Sequence, residues 1–455
     1  MFEHLDLNES DLIVDTLGEA KTPSPLKLST VYGDRIANYV RDTESVLLYH
    51  DRDVVLSQLK EGKPLLAFEL AGPRQNIYFR PEKTRAGIVT CGGLCPGINN
   101  VIRSIVMTLH YRYGVRVIYG FRYGYRGFIK KYGYEPLFLT PENVRDIHEK
   151  GGSILSSSRG SQDMEEVVNT LERMGISILF VIGGDGTMRG AYEIYSIVKQ
   201  RGLEISIIGI PKTIDNDIAY VEKTFGLETA FSVAADAIRA AHTEAIGAPN
   251  GIGLVKVMGR LSGFIAANAA LALNEVNFVL IPEIDFDLYG PKGFFSALER
   301  RIKERGHCVI VVAEGAGQQY VRAEGTDESG NPKLGDIGVF LKSEIKKFFM
   351  NDVGIEVNLK YIDPSYMVRS VPANPHDSMY CMQLAQNAVH AGMAGKTGML
   401  VGRWNGRFTH VPIKLAIKKR KQLSPEDPLW LSVLEATGQP MMMVNEPQQS
   451  YSSSE

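Results

Sequence analysis

Val181-Ile182-Gly183-Gly184-Asp185-Gly186-Thr187 and Pro211-Lys212-Thr213-Ile214-Asp215-Asn216-Asp217 are the two stretches from which the architecture of this 455-residue chain is read. The first closes an apolar run at 178–182 that reads as a buried strand. A helical pattern follows, with Ala191, Ile194, Ile197 and Val198 on one face. The second closes a β-rich run at 205–210. Strand, glycine turn, helix, strand and acidic loop make a βαβ unit. Its two polar loops fall at the carboxyl ends of parallel strands, where open α/β sheets bind ligands. One crevice is thus expected to gather three acids (Asp185, Asp215, Asp217), two hydroxyls (Thr187, Thr213) and Lys212. Such a set suits chemistry on an anionic substrate.

The length exceeds one ordinary core and predicts two lobes plus appendages. At 44% hydrophobic and 22% charged residues, with a formal net charge of −2, the composition is that of a soluble globular protein. The near balance of charge argues against a nucleic-acid surface. No apolar run reaches membrane-span length, and residues 1–10 lack the order of a signal peptide. Cys91, Cys95, Cys308 and Cys381 do not make a disulfide framework, and Cys91 and Cys95 lack the partners of a zinc site. They read as buried or loop thiols in a reducing cytoplasm.

Residues 1–81 carry no glycine-rich site and read as an N-terminal appendage, with Val46, Leu47, Leu48, Val54 and Val55 available to cover a core or a neighbouring subunit. The α/β rhythm starts at Ala86. A strand at 86–90 enters Gly92-Gly93-Leu94-Cys95-Pro96-Gly97, a helix runs through Val101, Ile105 and Leu109, and a strand follows at 115–121. A small-residue loop at 153–160 ends near Arg159, and a helix spans 163–174. Beyond the second acidic loop come a helix at 228–245 and strands at 252–257, 278–281 and 309–312, the last two leading to Glu283 and Glu314. The segment 318–333 is expected to be a surface excursion, and 361–369 a loop with a chelating look. Residues 399–404 and 407–413 predict a hairpin turned at Asn405-Gly406. The basic run 418–421 reads as a solvated helix face, and 447–455 as a disordered tail. This alternation predicts an α/β protein of two doubly wound, mainly parallel-sheet lobes.

Glycines after a strand let backbone N–H groups approach phosphate oxygens, and the helix that follows adds its positive end. Gly92–Gly97 and Gly183–Gly186 have that form, and with Arg159 they suggest a polyphosphate. Asp185 either caps its helix or meets the phosphates through Mg2+, held mostly by water. Asp215 and Asp217, two residues apart, can point the same way on an extended loop, and their repulsion raises one pKa as a base requires. Arg260 and Arg369 end separate loops and could clamp a phosphate. His242, His307 and His390 lie in regular elements, where packing is their expected role.

These residues resemble the 6-phosphofructokinase family over roughly 92–420, about three quarters of the chain. The motifs run in order: Gly-Gly-x-x-Pro-Gly-x-Asn at 92–99, Gly-Gly-Asp-Gly-Thr at 183–187, Pro-Lys-Thr-Ile-Asp-Asn-Asp at 211–217, Met-Gly-Arg at 258–260, Glu314, and Tyr-Met-Val-Arg at 366–369. The appendage and the Tyr-Ile-Asp-Pro-Ser-Tyr run look like the long-chain ATP-using branch of the pyrophosphate-type group. The resemblance implies an enzyme that transfers a phosphoryl group from ATP to the 1-hydroxyl of fructose 6-phosphate, with Mg2+. It implies that Gly92, Arg159, Gly160, Gly184, Gly186 and Thr187 hold the nucleotide and Asp185 its metal. Asp215 would be the base, with Thr213, Asp217, Lys212 and Arg260 beside it. The sugar phosphate would meet Thr213, Ile214, Asp215, Met258, Gly259, Arg260, Glu314, Tyr366, Met367, Val368 and Arg369. The lobes implied are 82–226 with a return at 368–425, and 227–367, braced by a C-terminal helix and tail at 426–455. A homotetramer is the usual assembly, without nucleic-acid or membrane partners.

Three positions depart from the short bacterial enzymes: Lys212 where they have glycine, Tyr366 where they have histidine, and Gly251 in place of an arginine that crosses a subunit interface. Lys360 is a candidate for the missing cation. Gly186 and Lys212 bear on the donor, since the pyrophosphate enzymes share the lysine but carry aspartate in place of Gly186. The rival readings are a pyrophosphate-dependent enzyme, a lipid or NAD kinase with a similar glycine loop, and a catalytically inactive nucleotide sensor.

Overall fold

Three hydrophobic clusters organise the chain, two on opposite faces of a large sheet and one on a smaller sheet. The structure is a computed structural model that describes residues 7–321, 323–326 and 332–445. The expected tail at 447–455 and part of the excursion at 318–333 lie outside the described residues.

The strands of the two sheets are Ser45–Leu47 (β1), Ala67–Leu70 (β2), Arg85–Thr90 (β3), Val117–Phe121 (β4), Leu137–Phe138 (β5), Ile178–Gly183 (β6) and Ser206–Pro211 (β7), then Gly251–Val257 (β8), Phe278–Leu280 (β9), His307–Ala313 (β10), Asn358–Ile362 (β11), Met399–Trp404 (β12) and Arg407–Pro412 (β13). Among the described residues they form a nine-stranded sheet, ordered β1-β2-β13-β12-β7-β6-β3-β4-β5, and a four-stranded sheet, β9-β10-β8-β11. The five central strands of the first sheet are parallel, antiparallel pairs finish both edges, and the second sheet is parallel throughout. The chain is therefore an α/β protein with two mainly parallel sheets.

Strand β6 shows why its residues make a central strand. All six are buried, and the side chains alternate between faces. Ile178, Phe180 and Ile182 enter one cluster, while Leu179 and Val181 enter the other. The first cluster also takes helices Ile98–Met107 (α1), Leu227–Ile246 (α3) and Pro375–Met393 (α4), and the second takes Asp185–Gln200 (α2). The predicted β12–β13 hairpin forms: Asn405 and Gly406 both have positive φ (47° and 73°), the backbone a two-residue turn with the sheet's own twist requires.

The N-terminal segment lies on the first lobe and lengthens its sheet. β1 and β2 pair with each other, and β2 pairs with β13 through Thr409 and Leu70. Phe68 is fully buried, 5.9 Å from the Tyr220 ring and 6.0 Å from that of Trp404. The indole N–H of Trp404 donates to the Leu48 carbonyl (3.0 Å). A second contact pairs Asp15–Thr16 antiparallel with Lys396–Thr397.

Candidate active site

Adjacent parallel strands β7, β6 and β3 end on the same edge, so their loops converge there. After β6 the chain turns at Gly184 directly into α2, whose first turn has no side-chain cap. Its free N–H groups face a cleft of about 640 Å3 lined by Gly92, Arg159, Gly160, Asp185, Gly186, Thr187 and the Lys212–Asp217 loop. Gly92 has φ +84°, a left-handed backbone that favours glycine, and it lies in van der Waals range of the Lys212 amine. At Gly186 an added Cβ would meet nothing within 4 Å. That position opens onto the cleft.

Lys212 is buried, and its amine donates to the Gly93 carbonyl (2.6 Å). Burial lowers its pKa, and the neighbouring Cys95, Cys91 and Asp215 oppose the change. Asp215 is held by its backbone: its N–H donates to Thr213 Oγ1 (3.1 Å), and its carbonyl accepts from Ser262 Oγ (2.7 Å) across the lobes. The carboxylate is left without a complete set of partners, for Oδ1 is buried and has no hydrogen bond. Burial raises its pKa first, then Asp217 and Glu314, against the pull of Lys212 and Arg260, to about 8. Burial also raises Asp217, while Arg420 and a hydrogen bond from Thr213 oppose it. A buried acceptor without a donor, with an elevated pKa, can take a proton from a bound hydroxyl.

Asp185 is gripped by two arginines. Arg189, one turn along α2, reaches its oxygens at 3.2 and 3.3 Å, and Arg420 reaches Oδ2 at 3.2 Å. The other arm of Arg420 stands 4.0 Å from Asp217. Lys421 is half-buried beside it, donating to the carbonyls of Val221 (3.0 Å) and Glu222 (2.6 Å), and its partial desolvation pushes its pKa down to about 8. The run 418–421 is therefore no solvated helix face. The short helix before it ends at Ala416, and Arg420 bridges to Ile218, just after the Lys212–Asp217 loop. The i, i+4 spacing of Asp185 and Arg189 is readable in the sequence. The arrival of Arg420 is not, because it depends on the route of the returning chain.

Met258 from the second lobe, Arg369 from the start of the returning segment and Ile214 from the 212–217 loop reach the cleft lining. Gly259 has φ +131°, and its carbonyl accepts from the Gly315 N–H (3.1 Å), which ties the Arg260 turn to Glu314. Burial raises the Glu314 pKa, against Arg260, Lys256 and Arg369. Arg260 donates to the Pro332 carbonyl (2.7 Å). Tyr366 is exposed with the Arg369 guanidinium 4.8 Å over its ring, Met367 is exposed, and Val368 is a core residue. Lys360 is exposed in mid-strand opposite Gly253, and the structure does not bring it to the cleft. At Gly251 a Cβ would fall 1.9 Å from the Ala245 carbonyl, so the end of α3 leaves no room for an arginine there. The chelating look of 361–369 does not hold: Asp363 pairs with Lys256 (2.9 Å), and no metal-holding group of three ligands occurs among the described residues. All four cysteines are free and buried. His390 is a packing residue hydrogen-bonded to the Tyr113 hydroxyl (2.8 Å).

The phosphofructokinase family model matches residues 85–392. The chain is 48% identical over 443 residues to the ATP-dependent 6-phosphofructokinase of Borreliella burgdorferi, covering 96% of this chain and 98% of the relative. It is 48% identical to the enzyme of that name from Amycolatopsis methanolica (96% of each chain) and 45% identical to that of Trypanosoma brucei brucei (95% and 88%). Among solved structures, a pyrophosphate-dependent phosphofructokinase from Marinobacter aquaeolei aligns with TM-score 0.65 at 20% identity, covering 78% of this chain and 91% of its own. Pichia pastoris phosphofructokinase aligns with TM-score 0.61 at 21% identity, covering 82% and 41%. These two likenesses concern the fold. The family model and the near full-length relatives together show that this chain belongs to the phosphofructokinase family.

Proposed function

We infer that this chain transfers the γ-phosphoryl group of ATP to the 1-hydroxyl of fructose 6-phosphate, giving fructose 1,6-bisphosphate and ADP in glycolysis. The observation that carries the chemistry is Asp215 Oδ1, a buried acceptor without a donor at the meeting of the lobes. In this reading it accepts the hydroxyl proton as the oxygen attacks phosphorus. Phosphoryl transfer asks a protein mainly for position and for charge opposite the equatorial oxygens. Lys212 and Arg159 line that part of the cleft, and the uncapped start of α2 supplies N–H groups. Gly92, Gly160 and Gly184–Thr187 make room for the nucleotide. In this reading Met258, Gly259, Arg260, Glu314, Tyr366 and Arg369 hold the sugar phosphate, and of these Met258 and Arg369 line the cleft.

Asp185 suits Mg2+. It lines the cleft with a 10% exposed side chain, and a lone carboxylate matches an ion that keeps most of its ligands as water and phosphate. Bound there, the ion would neutralise phosphate charge. Arg189 and Arg420 hold the carboxylate in place. A homotetramer is the expected assembly, and no helix among the described residues is long and apolar enough to cross a membrane.

The choice of donor rests on Gly186. Its open Cβ direction leaves space for a nucleotide beyond the β-phosphate, and an aspartate there would fill and charge that space. Lys212 is compatible with either donor. A coupled assay with ATP and with pyrophosphate tests this: turnover with Mg-ATP and little or none with pyrophosphate is expected, and equal rates would overturn the assignment.

A further inference from the structure

Glu283 follows β9 and stands outside the cleft lining. One of its oxygens nevertheless joins two separate segments of the chain. Oε1 accepts from the Gly263 N–H (2.9 Å) and from the Leu423 N–H (2.8 Å), while Oε2 is buried and has no hydrogen bond among the described residues. Gly263 lies just after Arg260 and opens the second-lobe helix Phe264–Leu271. Leu423 belongs to the returning chain and is a core residue. It ends a strap at 420–423 that touches both lobes and lies beyond residue 392, where the match to the family model stops. On the first-lobe side, Arg420 bonds Asp185 (3.2 Å) and stands 4.0 Å from Asp217. The Lys421 N–H donates to the Asp217 carbonyl (3.0 Å), and its amine holds the carbonyls of Val221 and Glu222. On the second-lobe side, the Lys421 amine lies 5.0 Å over the Phe264 ring and the Gln422 amide donates to the Leu261 carbonyl (3.0 Å). Next to Gly263, the Ser262 hydroxyl donates to the Asp215 carbonyl (2.7 Å).

We propose that Glu283 is a positioning residue for phosphoryl transfer: by pinning Leu423 to Gly263 it sets the register of the Lys212–Asp217 loop against the second lobe. In the phosphofructokinase reading, on which this rests, the first lobe holds the nucleotide and the base, and second-lobe residues hold much of the sugar phosphate. Each half keeps a grip of its own without Glu283. Arg189 also holds Asp185, and the Arg260 turn is also tied by the Gly259–Gly315 bond and by Pro332. Losing Glu283 therefore leaves both substrates their sites and shifts one against the other. Transfer is sensitive to such a shift, since a misplacement of about 1 Å can cost ~100-fold in rate.

Two conservative variants separate reach from charge. Glu283→Asp keeps the charge but draws the carboxylate back by about 1.5 Å, one carbon–carbon bond, too far to hold both N–H groups. Glu283→Gln loses the charge and keeps an oxygen acceptor for both. Glu283→Asp should lower kcat about tenfold or more, with both KM values within about threefold of wild type, the mark of a loss felt in the transition state. Glu283→Gln should keep kcat within about threefold of wild type. Amide hydrogen exchange followed by mass spectrometry needs no turnover. In Glu283→Asp it should speed up about tenfold at 420–423 and also across 212–222, with which Glu283 shares no hydrogen bond, and Glu283→Gln should restore it. Wild-type kcat in Glu283→Asp, an equal fall of kcat in both variants, or faster exchange confined to the segments that Glu283 touches overturns the proposal. A wild type that does not turn over fructose 6-phosphate with Mg-ATP would refute the functional reading instead, and the exchange pattern would then decide the positioning role by itself.

Discussion

Asp215→Asn removes the proton acceptor while keeping the shape of the side chain. The rate cost follows from general-base catalysis, ~10²–10⁴-fold or about 3–5 kcal/mol of barrier. It should appear in kcat, with both KM values within about twofold of wild type, because the group works in the transition state. The pH behaviour makes the test sharper. Burial, Asp217 and Glu314 raise Asp215 from 3.8 to about 8, so the wild-type rate should climb with pH as the carboxyl loses its proton in that window. Asp215→Asn should flatten this limb. Stability runs the other way. A folded pKa above the unfolded one means that the native state holds the extra proton; the associated stability is full below the unfolded pKa and lost as pH rises through the folded one. Asparagine never ionises, so its Tm should exceed that of wild type near pH 8, with the gap closing toward pH 4. Steady-state kinetics and thermal melts across pH 5–9 read both effects. A variant with more than half the wild-type kcat, or a slow variant with an unchanged pH limb, would refute the role of Asp215.

Other consequences can be checked alongside it. Gly186→Asp should cut ATP turnover by two or more orders of magnitude without unfolding the chain, since its side chain enters open space; unchanged ATP kinetics would remove Gly186 from the donor argument. Arg369→Ala and Arg260→Ala should each raise the KM for fructose 6-phosphate about tenfold, the cost of one charge-assisted bond, and equal damage to the ATP KM would point instead to misfolding. Deleting residues 1–75 strips β1, β2 and Phe68 from the first lobe. Loss of a buried phenylalanine alone costs about 3–5 kcal/mol, so the truncated protein should be insoluble or melt far below wild type. A soluble, active truncation seen by light scattering and assay would show that the segment is dispensable.

What the sequence determined by itself was local. A buried strand announces itself by an unbroken apolar run and its loop by glycines, so β6, β7 and the phosphate-type turns are legible from 178–217 alone. Asn405-Gly406 specified its hairpin for the same reason: the turn's backbone angles are a property of those two residues. Asp215 and Asp217 could be singled out by their spacing, and the family motifs gave them roles. The rest came from chain crossings that leave no local trace. The N-terminal residues carry alternation too short to show that they join the first sheet beside β13. Arg420 and Lys421 look like solvent-exposed charge until the chain, returning through β12 and β13, lays them against Asp185 and the 217–222 loop. Lys360 shows the converse: its charge is legible in the sequence, but only strand register shows that it faces solvent. Burial is also a tertiary property. An aspartate in a polar loop is ordinarily acidic, and only the closing of two lobes over Asp215, with Oδ1 left unpaired, lifts its pKa to where it can act as a base.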